Sequence, residues 1–268
     1  MPEPAIAAHD LDLIAGAAEE GARIAMRHFR ADPEVWYKNE GSSPVSVADL
    51  AVDRYLRETL LGARPDYGWL SEETVDSPER LEKETLFVVD PIDGTRAFIA
   101  GKPTWCVSIA VVTQGVPVAG VLVAPALNET FIAGPTGPAR KNGAPIVPGT
   151  LDEGDRGPLQ IAAPESLVKG LAERIRRPIE RVGHVPSLAY RLAMIADGRI
   201  DATLVKARSN DWDIAAADLI LRRTGGSLTS TDARPILYNR PETDHGILVA
   251  GRGSLMPGLA REIGSLFD

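Results

Sequence analysis

The sequence predicts a mixed α/β fold (α+β in its detailed order) with two lobes. Three observations predict it: the chain opens with a long stretch of helical apolar period, continues with a block of short apolar strands, and then alternates strands with helices. In order, residues 8–30 read as an amphipathic helix with Leu11, Ile14, Ala18, Ile24 and Ala25 on one face. Ser46-x-x-Asp49 has the form of a capping box, with Asp in place of Glu, and heads a second helix over residues 47–61. Pro65-Asp66-Tyr67-Gly68 is a turn. Apolar strands follow around 87–89, 107–112, 118–123 and 130–133. Gln114-Gly115 turns the chain between two of them, and Pro117 is tolerated because it opens its strand. Proline and glycine cluster over residues 134–149, where Lys141-Asn142-Gly143 makes a tight turn. That cluster sets the lobe boundary near residue 150, dividing an N-terminal lobe (1–150) from a C-terminal lobe (151–268). The second lobe gives a strand at 159–162, helices at 165–176 and 188–196, and a strand at 202–205. A helix entered at Asp213 and closed by Gly225-Gly226 comes next, then a last helix at 255–266. No repeat or low-complexity segment interrupts the pattern.

Bulk properties narrow the function. With 268 residues, 44% of them hydrophobic, the chain can bury a large core. A net charge of −8 argues against a general nucleic-acid coat. No apolar run approaches the ~20 residues that span a bilayer, so no membrane role is expected. The start, Met1-Pro2-Glu3-Pro4, lacks the basic head and apolar core of a secretory signal. The single cysteine, Cys106, forbids an internal disulfide and suits the cytoplasm. It lies in Thr104-Trp105-Cys106-Val107-Ser108-Ile109, a strand pattern that makes it core rather than nucleophile. The four histidines, His9, His28, His184 and His245, fall outside every motif described below, which sets aside a zinc site or a His-based triad.

Chemistry concentrates in Asp90-Pro91-Ile92-Asp93-Gly94-Thr95, directly after the apolar run Leu86-Phe87-Val88-Val89. Carboxylates held close together repel each other unless a cation lies between them, and oxygen-only ligands suit a hard cation such as Mg²⁺. Gly94 permits a sharp turn, and the N–H groups of Gly94 and Thr95 could then hold an anion such as a phosphate. The plainer reading is a turn with an Asx cap. Three other segments bear on the choice. Glu72-Glu73 follows Trp69-Leu70, so one glutamate can point inward, although paired glutamates are usually solvated surface charge. Asp213, in Asn210-Asp211-Trp212-Asp213, stands at a helix start as N-cap, ligand or both. Asp49 taken alone is structural.

Together these segments resemble the inositol monophosphatase family of metal-dependent phosphatases. The pattern is Pro44-Val45-Ser46 with Ala48-Asp49, then Glu72-Glu73, then Asp-Pro-Ile-Asp-Gly-Thr, then Trp212-Asp213 with Ala215-Ala216, in the family's order and approximate spacing. The resemblance covers nearly the whole chain. It implies a layered α/β/α/β/α sugar-phosphatase fold and hydrolysis of a small phosphorylated metabolite with roughly two or three Mg²⁺ ions. It also implies that Glu72, Asp90 and the Ile92 carbonyl hold one ion, and that Asp90, Asp93 and Asp213 hold the second. Thr95, hydrogen-bonded to Asp49, would orient and deprotonate the attacking water, with Glu72 beside them in catalysis. Asp93, Gly94, Thr95 and Ser187 would lie against the phosphate. No covalent intermediate is expected, lithium inhibition is, and the family is often dimeric, which leaves a homodimer open.

The substrate is read from what surrounds this set. In inositol-selective members, an acidic residue six positions before the motif tryptophan grips a sugar hydroxyl. Lys206 stands at that position here, followed by Arg208, and Arg191 lies where the family's bisphosphate nucleotidases often carry lysine. Val123-Ala124-Pro125 also looks like those nucleotidases. A lysine cannot accept a hydrogen bond from a hydroxyl, but it can pair with a second phosphate. The expected substrate is therefore a 3'(2'),5'-bisphosphate such as 3'-phosphoadenosine 5'-phosphate, unless these three residues are solvated surface charge. Inositol 1-phosphate and related sugar phosphates come second. Histidinol phosphate is third, because Arg96 and the stretch over residues 98–103 resemble histidinol-phosphate phosphatases. A non-enzymatic alternative, partnership with the transcription machinery as in some bacterial relatives, is opposed by the intact acidic set.

Overall fold

A computed structural model of the chain describes residues 4–31, 35–38, 43–147, 157–173 and 177–265. It is built in layers. Helices α1 (Pro4–His28) and α2 (Val47–Ala63) form the first, beside a hairpin of β1 (Val35–Lys38) and β2 (Ser43–Ser46). The second is a seven-stranded sheet in the order β3 (Gly68–Ser71), β4 (Thr85–Asp93), β5 (Cys106–Thr113), β6 (Val116–Ala124), β7 (Glu129–Ala133), β8 (Arg140–Lys141) and β9 (Ala144–Pro145). Only β3 and β4 pair in parallel there. Helices α5 (Leu188–Ala196) and α6 (Asp211–Arg222) make the middle layer. A five-stranded sheet follows, ordered β11 (Ile179–Arg181), β10 (Leu159–Ala162), β12 (Ala202–Val205), β16 (Leu248–Arg252) and β14 (Gly226–Ser230). Helices α4 (Glu165–Ala172) and α7 (Met256–Gly264) cover its outer face. The short helix α3 (Thr95–Ile99) and the ribbon of β13 (Ser209–Asn210) with β15 (Asp244–His245) border the site described below. The expected α/β/α/β/α layering is the observed one.

Alternation along the strands builds two apolar cores on one sheet. In β5, Cys106, Ala110 and Val112 face the α5–α6 layer, while Val107, Ile109 and Val111 face α1 and α2. Both faces are buried, which is why the strand reads as a continuous apolar run rather than an alternating one. Burying each large side chain here, Phe87 and Ile109 among them, contributes roughly 1.5–3 kcal/mol. Gly120 on β6 sets how close α6 comes. A Cβ there would lie 2.9 Å from the Ala216 carbonyl oxygen and 3.1 Å from its Cα, so backbone meets backbone.

Several elements differ from expectation. Helix α1 spans Pro4–His28 rather than 8–30 and is followed by Arg30 in a left-handed conformation (φ 60°). Strand β4 runs past its apolar residues to Asp93. The helix expected to be entered at Asp213 begins at Asp211, with Asn210 as its N-cap. Strands β11, β14 and β16 were not anticipated: β11 has three residues, and in β14 (Gly-Ser-Leu-Thr-Ser) only Leu228 is fully buried. Helix α4 ends at Ala172, and residues 174–176 of its expected extent lie outside the described residues, as do Leu266 of the last helix and the opening residues 1–3. The expected lobe boundary falls within 148–156, also outside them. The turns at Gln114-Gly115 (φ 50° and 76°) and Asn142-Gly143 (φ 50° and 81°) take the left-handed pairs that hairpins prefer.

One acid in the middle layer gives the fold a pH signature. Asp218 on α6 accepts a hydrogen bond from the Tyr238 hydroxyl at 2.9 Å. The Arg222 Nε stands 3.4 Å from its other oxygen, an ion pair too poorly aligned to be a hydrogen bond. Burial pushes the Asp218 carboxyl up to about 6, with Arg222 and Tyr238 opposing. The folded state therefore prefers the protonated acid. Its stability is full below the unfolded value near ~4 and declines as pH rises to about 6, by roughly 3 kcal/mol. Asp218→Asn is expected to flatten this decline. Denaturant midpoints at about pH 4 and about pH 8 measure it, and equal declines in both proteins would refute it.

Candidate metal centre

Asp90 and Asp93 are three residues apart, so in a regular strand they would point to opposite faces. A bulge removes that conflict. Asp90 pairs with Ser108 and Asp93 with Cys106, so three steps on β4 match two on β5. Asp90 and Asp93 thus occupy a bulged strand, and the sharp turn comes after them at Gly94. Ile92 N–H donates to Asp90 Oδ1 at 3.0 Å. Gly94 then takes φ 95°, and a Cβ there would come within 3.1 Å of Ser187 Cβ and 3.2 Å of the Thr104 carbonyl.

Asp213 is the N3 residue of α6, and its Oδ2 accepts from Asn210 N–H at 2.6 Å. Its ligand oxygen and those of Asp90 and Asp93 lie within 4.8 Å of one another. Both earlier readings of Asp213 had a part: it caps, as N3 rather than N-cap, and it enters the acidic cluster. Of the two glutamates, Glu72 is the one that lines the same cavity, and its N–H donates to Val89 O at 3.3 Å. Asp49 is buried at N3 of α2, with Oδ2 accepting from Ser46 N–H at 2.8 Å and from Ser46 Oγ at 2.5 Å. Thr95 Oγ1 reaches Asp49 Oδ1 at 3.3 Å and the Ile92 carbonyl at 3.1 Å.

The electrostatics call for a cation. Burial pushes the Asp90 carboxyl well up, and Glu72, Asp93, Asp213 and Asp49 push it further. Asp213 is raised to about 7 by burial and by Asp93. Asp93 is raised by burial, against hydrogen bonds from Ser187, Ala189 and Leu188. Asp49 is raised by burial, against its bonds to Ser46. Buried carboxylates this close cannot all ionise alone, and a hard cation with oxygen ligands fits the set.

Ser187 is not where the sequence reading put it. It is fully buried, its Oγ donating to Asp93 Oδ2 at 2.5 Å and accepting from Tyr190 N–H at 3.1 Å as the N-cap of α5. Leu188 and Ala189 N–H groups donate to the same carboxylate at 3.2 and 2.6 Å. Ser187 thus stands behind Asp93 and lines neither of the two cavities at this centre. Cys106 is core, as expected, with its Sγ 3.9 Å from Asp93 Oδ2; burial and that carboxylate push its thiol well up, away from nucleophilic use.

Two adjoining cavities open on this centre. The smaller, about 440 Å³, is lined by Glu72, Asp90, Gly94, Thr95 and Lys102 among others. The larger, about 680 Å³, gathers Arg181, Arg191, Lys206 and Arg208. Asp93, Arg96, His184, Pro186 and Asp213 line both. Lys206 and Arg208 are exposed on its wall, and Arg208 holds a left-handed φ of 73° with its N–H on the His245 carbonyl at 2.7 Å. Burial draws the Arg191 guanidinium down from its ordinary value, while Asp93 pushes it back up. Sequence reasoning missed Arg181 and His184: β11 has no apolar pattern, and a lone histidine in a loop carries no spacing signal. His245, by contrast, is buried against Asp211, 2.7 Å from Nε2 to Oδ1.

The profile of the inositol monophosphatase family matches residues 6–266. The chain belongs to that family. It is 34% identical over 203 residues to a histidinol-phosphatase of Mycobacterium tuberculosis, covering 71% of this chain and 75% of that protein. It is 31% identical over 246 residues to the 3'(2'),5'-bisphosphate nucleotidase CysQ of Haemophilus influenzae, covering 88% and 89%. The solved structure of an IMPase from Thermotoga maritima matches with a TM-score of 0.82 at 24% identity, over 97% of this chain and 98% of that one. The protein is a phosphoric monoester hydrolase of a metal-dependent family whose members act on small phosphorylated substrates. Among the described residues, no helix is long and apolar enough to cross a membrane.

Proposed function

We propose that this inositol monophosphatase family enzyme hydrolyses a phosphomonoester bearing a second phosphate, with a 3'(2'),5'-bisphosphate nucleotide such as 3'-phosphoadenosine 5'-phosphate as the best fit. The observation that carries this reading is the continuity of the acidic centre with a cavity walled by Arg181, Arg191, Lys206 and Arg208. A dianionic second phosphate is the natural complement of such a wall.

Glu72, Asp90, Asp93 and Asp213, with the Ile92 carbonyl, would hold Mg²⁺. Bound there, Mg²⁺ neutralises phosphate charge and lowers the pKa of a coordinated water. The chain's own residues do the rest. Thr95 Oγ1 orients the attacking water and takes its proton while passing its own to Asp49 Oδ1, 3.3 Å away. Burial raises Asp49, which makes it a better proton acceptor than an exposed aspartate. Gly94 and Thr95 N–H groups hold the phosphate, and Ser187 keeps Asp93 in place.

The sequence similarity to a histidinol-phosphatase supports a second reading, with Arg96 at the site. Histidinol phosphate carries an amine, however, and a cation would be repelled by the basic wall. Phosphate release with Mg²⁺ from 3'-phosphoadenosine 5'-phosphate, inositol 1-phosphate, histidinol phosphate and fructose 1,6-bisphosphate decides between them. Lys206→Glu is expected to weaken kcat/KM for the preferred bisphosphate by roughly tenfold or more, about 1.4 kcal/mol, and to affect a monophosphate less. Equal losses on both substrates would remove Lys206 from the reading.

A further inference from the structure

Asp53 lies one helical turn after Asp49 on α2 and is buried beside it. It is not among the clustered ligand carboxylates. Both of its oxygens are taken by the last residue of β3 and the loop that follows it. Ser71 Oγ donates to Oδ1 at 2.5 Å, and Thr74 Oγ1 donates to Oδ2 at 2.8 Å. Thr74 Oγ1 accepts in turn from Trp69 Nε1 at 3.1 Å, and Ser71 Oγ accepts from Glu73 N–H at 3.4 Å. Glu72 sits in the middle of this net, pinned on its other side to Val89 O, the residue before Asp90. A buried carboxylate is costly unless its oxygens are satisfied, and this one is satisfied by the residues that bracket Glu72.

We propose that Asp53 is a positioning residue for Glu72. Helix α2 then serves both sides of the centre: Asp49 holds Thr95, and Asp53 holds the loop that aims Glu72. The inference rests on reading Glu72 as a metal ligand.

The test uses Asp53→Ala with the milder Ser71→Ala and Thr74→Val. Mg²⁺ is titrated into the substrate-free protein by calorimetry, and amide exchange is followed over residues 71–74. Loss of a partner that orients a ligand typically weakens metal affinity by about 10–100-fold, and that is the shift expected for Asp53→Ala, with faster exchange in the loop. The milder variants should shift in the same direction by less. Asp10→Asn serves as control, since it disturbs a buried aspartate bonded to Arg64 and Tyr67 outside the centre. It should lower the melting temperature without moving Mg²⁺ affinity. Mg²⁺ affinity within about twofold of the unmodified chain in a folded Asp53→Ala, or an equal shift in Asp10→Asn, would overturn the inference. Glu72→Gln separates the layers of the argument. If it weakens Mg²⁺ binding and the Asp53 and Ser71 variants do not, the positioning role alone falls. If it leaves Mg²⁺ binding unmoved, the ligand reading of Glu72 falls and takes the positioning role with it.

Discussion

Asp90→Asn is expected to lose turnover by at least about 10²–10³-fold, the scale seen when a single group that stabilises developing charge is removed. In metal-free buffer the same variant should melt no lower than the unmodified chain. Asn keeps the oxygen that accepts from Ile92 N–H at 3.0 Å, so the bulge retains its bond. What disappears is a carboxyl whose ionisation is opposed by burial and by Glu72, Asp93, Asp213 and Asp49. Replacing an ionisable group that is surrounded by acids with a neutral one spares the fold any cost of ionising it, even as it ruins the site. Phosphate-release assays and thermal melts on one preparation measure both effects. Full activity in this variant would refute the placement of Asp90 at the centre, and a collapsed fold would refute its being only a liability to stability.

The second large effect concerns metal and pH together. Asp213 is raised to about 7, so its folded state favours the neutral acid. Without metal, the stability it permits is full below the unfolded value near ~4 and is lost as pH climbs to about 7, on the order of 4 kcal/mol. Mg²⁺ reverses the preference by favouring the ionised carboxylates. The rise in melting temperature on adding Mg²⁺ should therefore be much larger at about pH 8 than at about pH 5. Comparing the shift, rather than the absolute melting temperature, cancels carboxylates elsewhere such as Asp76, which Arg80 holds low. A shift that is the same at both pH values would argue against a carboxylate metal centre.

The parts of this molecule that were legible in the sequence are those written in local pattern. Strand β5 of the large sheet reads as a nearly continuous apolar run because helices cover both faces, and Ser46-x-x-Asp49 announced α2. The acidic string and Trp212-Asp213 pointed to the centre because, in that order, they resemble the inositol monophosphatase family. What was not legible depends on distant partners. Nothing local says that Ser187 will turn inward to Asp93, or that the β4 bulge will bring Asp90 and Asp93 to one side. His184 and Arg181 enter the cavity only because β11 closes the edge of the second sheet. Strand β14 escaped notice because its pairing with β16, not its composition, makes it a strand.

The contact of Gly120 with Ala216 divides the enzyme into parts with different freedom to drift. With no side chain at Gly120, β6 and α6 meet there main chain to main chain, and at that point their separation is set by backbone contact on the helix that carries Asp213. Of the four groups proposed to read the substrate, Arg191 stands on α5 beside Asp93, while three stand on exposed wall segments, Arg181 at a sheet edge and Lys206 and Arg208 on a loop. On the proposed assignment, substrate preference would be rewritten at these few surface positions while the acidic centre keeps its geometry.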